Sequence, residues 1–287
     1  MDIASVLLGG CAAGMVLFIV SVGLSVTMGL MGFVNLAHGG FAMLGGYTMV
    51  LAMKHAGLGF GAALALAFVA VAALAVVLER TLYARLYGAG ELDQVLFTIG
   101  LVFIMIPAIT LAVGPETQTV PLPGWMRGET DLGFLRYRTY SLVVIAVGVL
   151  LVLALWLGFE RTRFGARIRA AVDNRRMAAS LGVDVGRLFT VTFGIGSGLA
   201  AVGGGLGAEI LGLDPNYALR YLAYFLIVVA VGGLGRIVGV FYAALLIGVL
   251  DFLLKIHFPK GGTMFIYALT LVLLLVRPQG LFGKRGA

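Results

Sequence analysis

Apolar runs recur along almost the whole chain, separated by short polar or glycine-bearing stretches. They cover residues 5–27, 36–53, 60–78, 96–113, 140–159, 188–206, 219–231, 238–254 and 264–276. Most approach the roughly 20 residues that a helix needs to cross a bilayer. The shorter ones read as tilted or partly re-entrant segments. The pattern therefore predicts an all-α, polytopic helical membrane protein with eight or nine spans, organised as one transmembrane domain over residues 1–287.

The first long apolar stretch is interrupted at membrane depth by NLAHGGFAMLGG, residues 35–46. Backbone that leaves the helix there must be buried in protein or line a cavity, because unsatisfied N–H and C=O groups cost several kcal/mol in hydrocarbon. A broken helix is predicted near residues 33–46, with glycines 39, 40, 45 and 46 permitting the break. Asn35 and His38 would satisfy the freed groups or face a polar pathway, as discontinuous helices do in transporters. His38 thus reads either as a structural histidine bonded to backbone carbonyls or as a residue of the path. VNLAHGGFAMLGGY has a faint echo in VAVGGLGRIVGVFY of the second half, which suggests an internal repeat with Gly232 and Gly233 at the second break. Asn35, His38, Gly39, Gly40, Gly232 and Gly233 are accordingly the candidate translocation path.

Composition agrees with the span pattern: hydrophobic residues make up 61% and charged residues 11%, with a mean hydropathy of +1.08, far from the balance of a soluble domain. The net charge of +7 does not indicate nucleic acid, because it is concentrated in one loop. Arg161, Arg163, Arg167, Arg169, Arg175, Arg176 and Arg187 are seven of the 20 basic residues, and the positive-inside rule places them in the cytoplasm. Counting spans from there puts residues 80–93, the Arg236 turn and the Arg277, Lys284, Arg285 tail inside. Residues 114–139, the Asp214 loop and KIHFPKGG fall outside, and nine crossings put the N-terminus outside. The segment MDIASVLL lacks a basic n-region, so the first span is expected to be retained as an anchor. The single cysteine, Cys11, excludes a disulfide framework within the chain and reads as a small packing residue.

The arginine-rich loop is patterned as an amphipathic helix. Phe164, Ile168, Ala171 and Ala178 fall on one face, and Arg169, Asp173, Arg176 and Ser180 on the other. Gly182 offers a stop and Asp184 a cap for the next helix. One short helix parallel to the membrane is predicted, serving as a lipid anchor or as a partner-docking element.

Three function classes compete for this layout. No G-x-x-x-x-G-K-[ST] occurs, so no nucleotide phosphate cradle is encoded. The clusters GGG (203–205) and GGLG (232–235) read as close helix packing or as hinges. An intramembrane serine protease could draw on Ser197 and His38. However, Ile195 stands where the G-x-S-G motif needs glycine, Phe41 spoils A-H-x-x-G, and the histidine precedes the serine. An ion-coupled secondary transporter would bury ionisable groups in its spans, but the nearest, Asp251, has Lys255 four residues on, a favourable pairing. No catalytic residue and no metal ligand set is assigned.

The stretches TRFGARIRAAVDNRRMAASLGVDVGRL, TFGIGSGLAAVGGGL, VVAVGGLGRIVGVFYAALLIGVLD and VRPQGLFG, with NLAHGGFAMLGGY and LFTIGLVFIM before them, occur in an order that resembles the permease subunits of bacterial branched-chain amino acid ABC importers, the shorter H-type in particular. The resemblance implies the ABC importer permease fold, a multi-pass inner (plasma) membrane location and a role in amino acid transport. It also implies a heterodimer with a second homologous permease, two ATPase subunits below and a periplasmic substrate-binding protein above. The chain itself would hold no cofactor, since ATP and Mg would be bound by the ATPase subunits. Residues 162–187 would form the coupling helix, with Arg167, Ala170, Asp173, Asn174, Ala178, Leu181 and Gly182 making the ATPase contact. The solute would be a branched-chain amino acid or a related small polar molecule.

Overall fold

A computed structural model describes residues 3–133, 135–259, 261–277 and 281. The Lys284, Arg285 tail and most of VRPQGLFG lie outside the described residues. The helices are α1 (Ile3–Met31), α2 (His38–His55), α3 (Phe60–Thr81), α4 (Glu91–Val113), α5 (Thr139–Arg161), α6 (Arg163–Asp173), α7 (Arg175–Ser180), α8 (Val185–Leu211), α9 (Tyr217–Gly232), α10 (Ile237–His257) and α11 (Gly262–Val276). A small antiparallel hairpin, β1 (Glu129–Asp131) with β2 (Arg136–Arg138), lies in the 114–139 segment. Six helices, α1, α3, α4, α5, α8 and α10, are long and apolar enough to cross a membrane by themselves. Helices α2, α9 and α11 complete the nine predicted runs.

Helix α1 is apolar or small on every face, and such a helix has to be enclosed. It is the axis of the bundle, buried from Ala12 to Thr27. Gly10 sits on Val249, Gly14 on Ala244 and Leu245, and Gly29 on Gly235, so α1 runs antiparallel to α10. Val16, Val20 and Gly23 meet Gly207, Gly203 and Gly196 in turn, which makes α1 antiparallel to α8 as well. The GGG triplet lies within the continuous α8, where Gly204 is so close to α2 that a Cβ would stand 1.8 Å from the Ala42 carbonyl oxygen. These glycines are packing contacts, as small residues are in membrane bundles. Helices α4 and α5 bury only a narrow stripe each, and Phe103, Ile104, Leu111 and Leu150 face outward from the bundle.

Two short stretches of non-helical backbone are enclosed within this frame. Residues 32–37 separate α1 from α2, and residues 212–216 separate α8 from α9. Each follows a glycine of positive φ, Gly32 at 61° and Gly212 at 78°, a conformation glycine adopts freely. Each then folds an Asx turn: Asn35 Oδ1 accepts from the Ala37 N–H at 3.1 Å, and Asp214 Oδ1 accepts from the Asn216 N–H at 2.8 Å. Each helix that follows starts on a fully buried residue, His38 or Tyr217. Because α1 and α8 run in opposite directions, the two breaks are inverted copies. The second break therefore lies before α9, and the sequence echo paired the wrong segment: GGLG is a helix-to-helix turn between α9 and α10. The first break is also narrower than 33–46. Glycines 39, 40, 45 and 46 are helical, and their lack of a side chain admits Ala218, Met105, Ala201 and Leu213. Helices α2 and α9 are short because the chain has already reached membrane depth before they begin.

The packing order also sets which segments share a face of the bundle. Leu30, near the end of α1, packs with Ile168, Ala171 and Ala178 of the arginine-rich loop, so the start of α1 lies on the opposite face. On that face Gln118 donates its N–H to the Leu213 carbonyl at 2.7 Å and accepts from Lys54 Nζ at 2.9 Å, closing the 114–126 segment over the α8–α9 break. With Cys11→Ala as background, single cysteines at the exposed Thr117 and Ser180 test the orientation. An impermeant maleimide should label Thr117→Cys in intact spheroplasts and Ser180→Cys only after lysis. Labelling of Ser180→Cys alone in intact cells would reverse it.

Candidate functional site

The arginine-rich loop folds as two helices where one was predicted. Helix α6 begins at Thr162, whose Oγ1 accepts from the Gly165 N–H at 3.2 Å. It ends at Asn174, which turns to φ −152°, ψ 98° and caps α7 by accepting from the Met177 N–H at 3.0 Å. Asn174 thus interrupts the helix because its side chain competes for backbone donors, as Asn does at N-caps. The face assignment is unaffected by the kink. Ile168, Ala171 and Ala178 are buried against Leu30, Val185, Leu188 and Phe189, while Arg169, Asp173, Arg176 and Ser180 are exposed. Gly182 ends the segment at φ +83°, and Asp184 caps α8 by accepting from the Arg187 N–H at 3.0 Å.

The segment is fastened at both ends. At Gly165 a Cβ would lie 2.0 Å from the Phe159 carbonyl oxygen, so only glycine permits this close turn out of α5. Arg169 donates to the same carbonyl and forms an ion pair with Glu160. On the free side, Arg167, Ala170, Asp173 and Asn174 are exposed together with Val172, Met177 and Leu181. Met177 and Leu181 are 61% and 79% exposed, one helical turn apart. Both apolar side chains project between arginines. A cleft of about 760 Å³ lies beside the segment, between α5, α6 and the α9–α10 turn, lined by Glu160, Arg169, Asp173, Gly233 and Gly235 among others.

The candidate path residues fall into two places. Asn35, His38, Gly39 and Gly40 cluster at the start of α2, in contact with α1, α4 and α9. Gly233 lines the cleft beside α6, and Gly232 is packed on Val240, where a Cβ would stand 2.6 Å from its Cα. Ser25 stitches this turn to α1, donating to the Gly233 carbonyl at 3.2 Å and accepting from the Gly235 N–H at 3.0 Å. Gly232 and Gly233 are therefore not brought to Asn35 and His38. His38 is fully buried, with Nε2 3.1 Å from the Val20 carbonyl and no partner at Nδ1 among the described residues. No hydrogen bond joins it to Ser197, whose Oγ is also unpartnered there, so a nucleophile–base pair is not assembled.

The residues that hold the first break were not singled out from the sequence. The backbone from 33 to 36 climbs along the first turns of α4. Gln94 Oε1 accepts from the Val34 N–H at 3.2 Å, and Thr98 Oγ1 accepts from the Leu36 N–H at 3.2 Å. The Gln94 amide also donates to the Leu86 and Ala89 carbonyls, each at 3.3 Å. Tyr83 donates to Asn35 Oδ1 at 3.2 Å. All three are buried. The available signal was an uncharged Gln and Thr one turn apart, on what becomes the buried stripe of an otherwise apolar span.

The family described as branched-chain amino acid transport system / permease component matches residues 6–275. The chain is 27% identical to the high-affinity branched-chain amino acid transport system permease protein BraD of Pseudomonas aeruginosa, over 97% of this chain and 95% of the relative. It is 26% identical to LivH of the same description from Escherichia coli, over 96% and 94%. LivM of Escherichia coli is 28% identical, over 93% of this chain and 68% of the relative. No solved structure matches.

Removing the clamp on the break should unfold it locally. Gln94→Leu leaves the Val34 N–H without an acceptor in an apolar setting, a loss of about 1–3 kcal/mol. The thermal midpoint in detergent should drop, whereas Leu96→Ala on the lipid-facing side of the same helix should change it little. A Gln94→Leu protein that melts with the parent would show that the clamp contributes nothing.

Proposed function

The chain belongs to the branched-chain amino acid transport system permease family, and from that membership we propose that it is the H-type permease subunit of an ATP-driven importer for a branched-chain amino acid or a related small polar solute. It is a multi-pass protein of the inner membrane. Its partners in this reading are a second permease of the LivM kind, two ATPase subunits that bind ATP and Mg, and a periplasmic binding protein. The chain supplies a path and a lever, and the nucleotide chemistry takes place elsewhere.

The observation that carries the reading is the α6–α7 segment. One face is packed onto α1 and α8, and the other presents Arg167, Ala170, Asn174, Met177 and Leu181. A lipid anchor would bury its apolar face in the bilayer. Here that face is buried in the protein, and the exposed apolar groups are isolated knobs between arginines. A motion imposed on such a segment by an ATPase subunit reaches α1 and α8 directly.

Two substitutions test the assignment. In Ala178→Pro the proline removes the bond from the Ala178 N–H to the Asn174 carbonyl, 2.9 Å long, and its ring clashes with the preceding turn, together about 3 kcal/mol. Substrate-stimulated ATP hydrolysis and uptake should both be abolished in proteoliposomes while the protein still reaches the membrane. Unchanged coupled hydrolysis would remove the lever role. His38→Leu should lower uptake on the order of tenfold, the loss of about 1.4 kcal/mol that a buried hydrogen bond supplies, with the partner subunits still co-purifying. Failure of the complex to assemble would instead make His38 a packing residue, and full uptake would remove it from the path.

A further inference from the structure

Glu79, at the inner end of α3, is 3% exposed. A carboxylate so enclosed is costly unless its oxygens are satisfied. Among the described residues its partners are two hydroxyls and no cation. Tyr87, just past the turn that follows α3, donates to Oε1, and Thr190 of α8 donates to Oε2 at 2.8 Å. The carboxylate thereby ties the α3–α4 connection to the first turns of α8. Neither the span pattern nor the lever reading uses these three residues.

Their neighbours form one continuous line. Arg175, the first residue of α7, lies over the Phe189 ring at 4.7 Å. Phe189 meets Tyr87 edge-to-face at 5.6 Å, and Tyr87 meets Phe33 edge-to-face at 6.1 Å. Phe33 contacts Tyr83 at 5.3 Å, and the Tyr83 hydroxyl holds Asn35. The line begins on the lever and ends in the re-entrant segment 32–37. Edge-to-face pairs constrain orientation as well as distance, and interiors packed this densely pass a displacement on instead of absorbing it. Tyr83 and Tyr87 both sit in the connection between α3 and α4, but Tyr83 is fully enclosed whereas Tyr87 is only half-buried. Its ring can follow Phe189 only if its hydroxyl is held, and Glu79, itself held by Thr190, accepts a hydrogen bond from it.

We propose that Glu79, Tyr87 and Thr190 form a positioning latch that makes movement of the α6–α7 lever reach the re-entrant segment at Phe33 and Asn35. The latch rests on the importer reading above. With the latch open, the ATPase subunits still drive the lever, but the stroke is lost at Tyr87. Hydrolysis then continues without a matching opening of the path.

The test uses the complete complex, both permeases with ATPase subunits and binding protein, in proteoliposomes with a radiolabelled branched-chain amino acid. The readout is ATP hydrolysed per solute imported, a ratio that a loss of folded protein does not change. Tyr87→Phe keeps the ring and removes the donor, and Thr190→Val removes the second donor at constant shape. Each should raise the ratio about fivefold, the factor carried by one lost hydrogen bond, while Thr190→Ser, which keeps the hydroxyl, should couple like the parent. A parental ratio in Tyr87→Phe, even with both rates reduced, would overturn the latch, as would a Thr190→Ser protein as uncoupled as Thr190→Val. If the parent chain never assembles with an ATPase, the importer reading fails and the latch with it. A coupled parent with parental ratios in the variants overturns the latch alone.

Discussion

The architecture depends on backbone-to-backbone contact between α8 and the two helices it supports. Lipid tails are as apolar as leucine, so helices in a bilayer gain little by hiding apolar surface from their surroundings and associate through close packing. Helix α8 achieves this with glycine. Gly196 meets Gly23 of α1, and Gly204 meets the Ala42 carbonyl of α2 at a distance no side chain could share. A residue larger than glycine at 204 would push α2 away from α8. The start of α2, with Asn35 and His38 just before it and on it, would move too.

That frame is what makes the two breaks tolerable. Residues 32–37 and 212–216 interrupt the helices within the bundle, and protein groups take up several of the backbone donors and acceptors freed there. Gln94 and Thr98 serve the first, and Gln118 serves the second from the outer segment. The two helices that follow meet at their N-terminal ends, where Gly39 approaches the Ala218 carbonyl. Two inverted helix pairs therefore bring their positive ends together inside one bundle, an arrangement that discontinuous-helix transporters use near their paths. The inverted relation also explains why α2 and α9 are shorter than a full crossing.

Much of this was legible before the fold. The nine runs, the position of the arginine-rich loop and its two faces follow from periodicity and charge, which respond to burial and to side of the membrane. What stayed hidden depended on tertiary contact. The kink at Asn174 follows from one side chain choosing a backbone donor, and helical spacing continues across it unchanged. The second break was missed because GLDPNY carries no apolar interruption longer than an ordinary loop, and only the outer segment closing over it shows that it is enclosed. GGLG was chosen in its place because a glycine cluster looks the same whether it unwinds a helix or lets two helices touch. Gln94, Thr98 and Glu79 were passed over for a related reason. A single polar residue on a span is read against its own helix, whereas each of these three has a partner 60 or more residues away.

The placement of charge separates the remaining mechanisms. Asp251 is bound by Lys255 and by Tyr224, each at 2.7 Å, Asp214 by Arg220 at 2.6 Å, and Glu209 by Arg138 at 3.3 Å. All of these pairs lie toward the outer face, where the 114–139 segment and the α8–α9 break also sit. A group that carries a proton or cation through the cycle has to change partners at membrane depth, whereas these carboxylates are already paired. Glu79 is enclosed, but at the inner end, and hydroxyls hold it beside the lever. These carboxyl groups thus lie toward the two ends of the bundle, with His38 enclosed between them. Between them run helices whose contacts are glycine, alanine and aromatic rings. Such an interior is suited to moving as packed bodies, and in the proposed importer the force would be applied through α6 and α7.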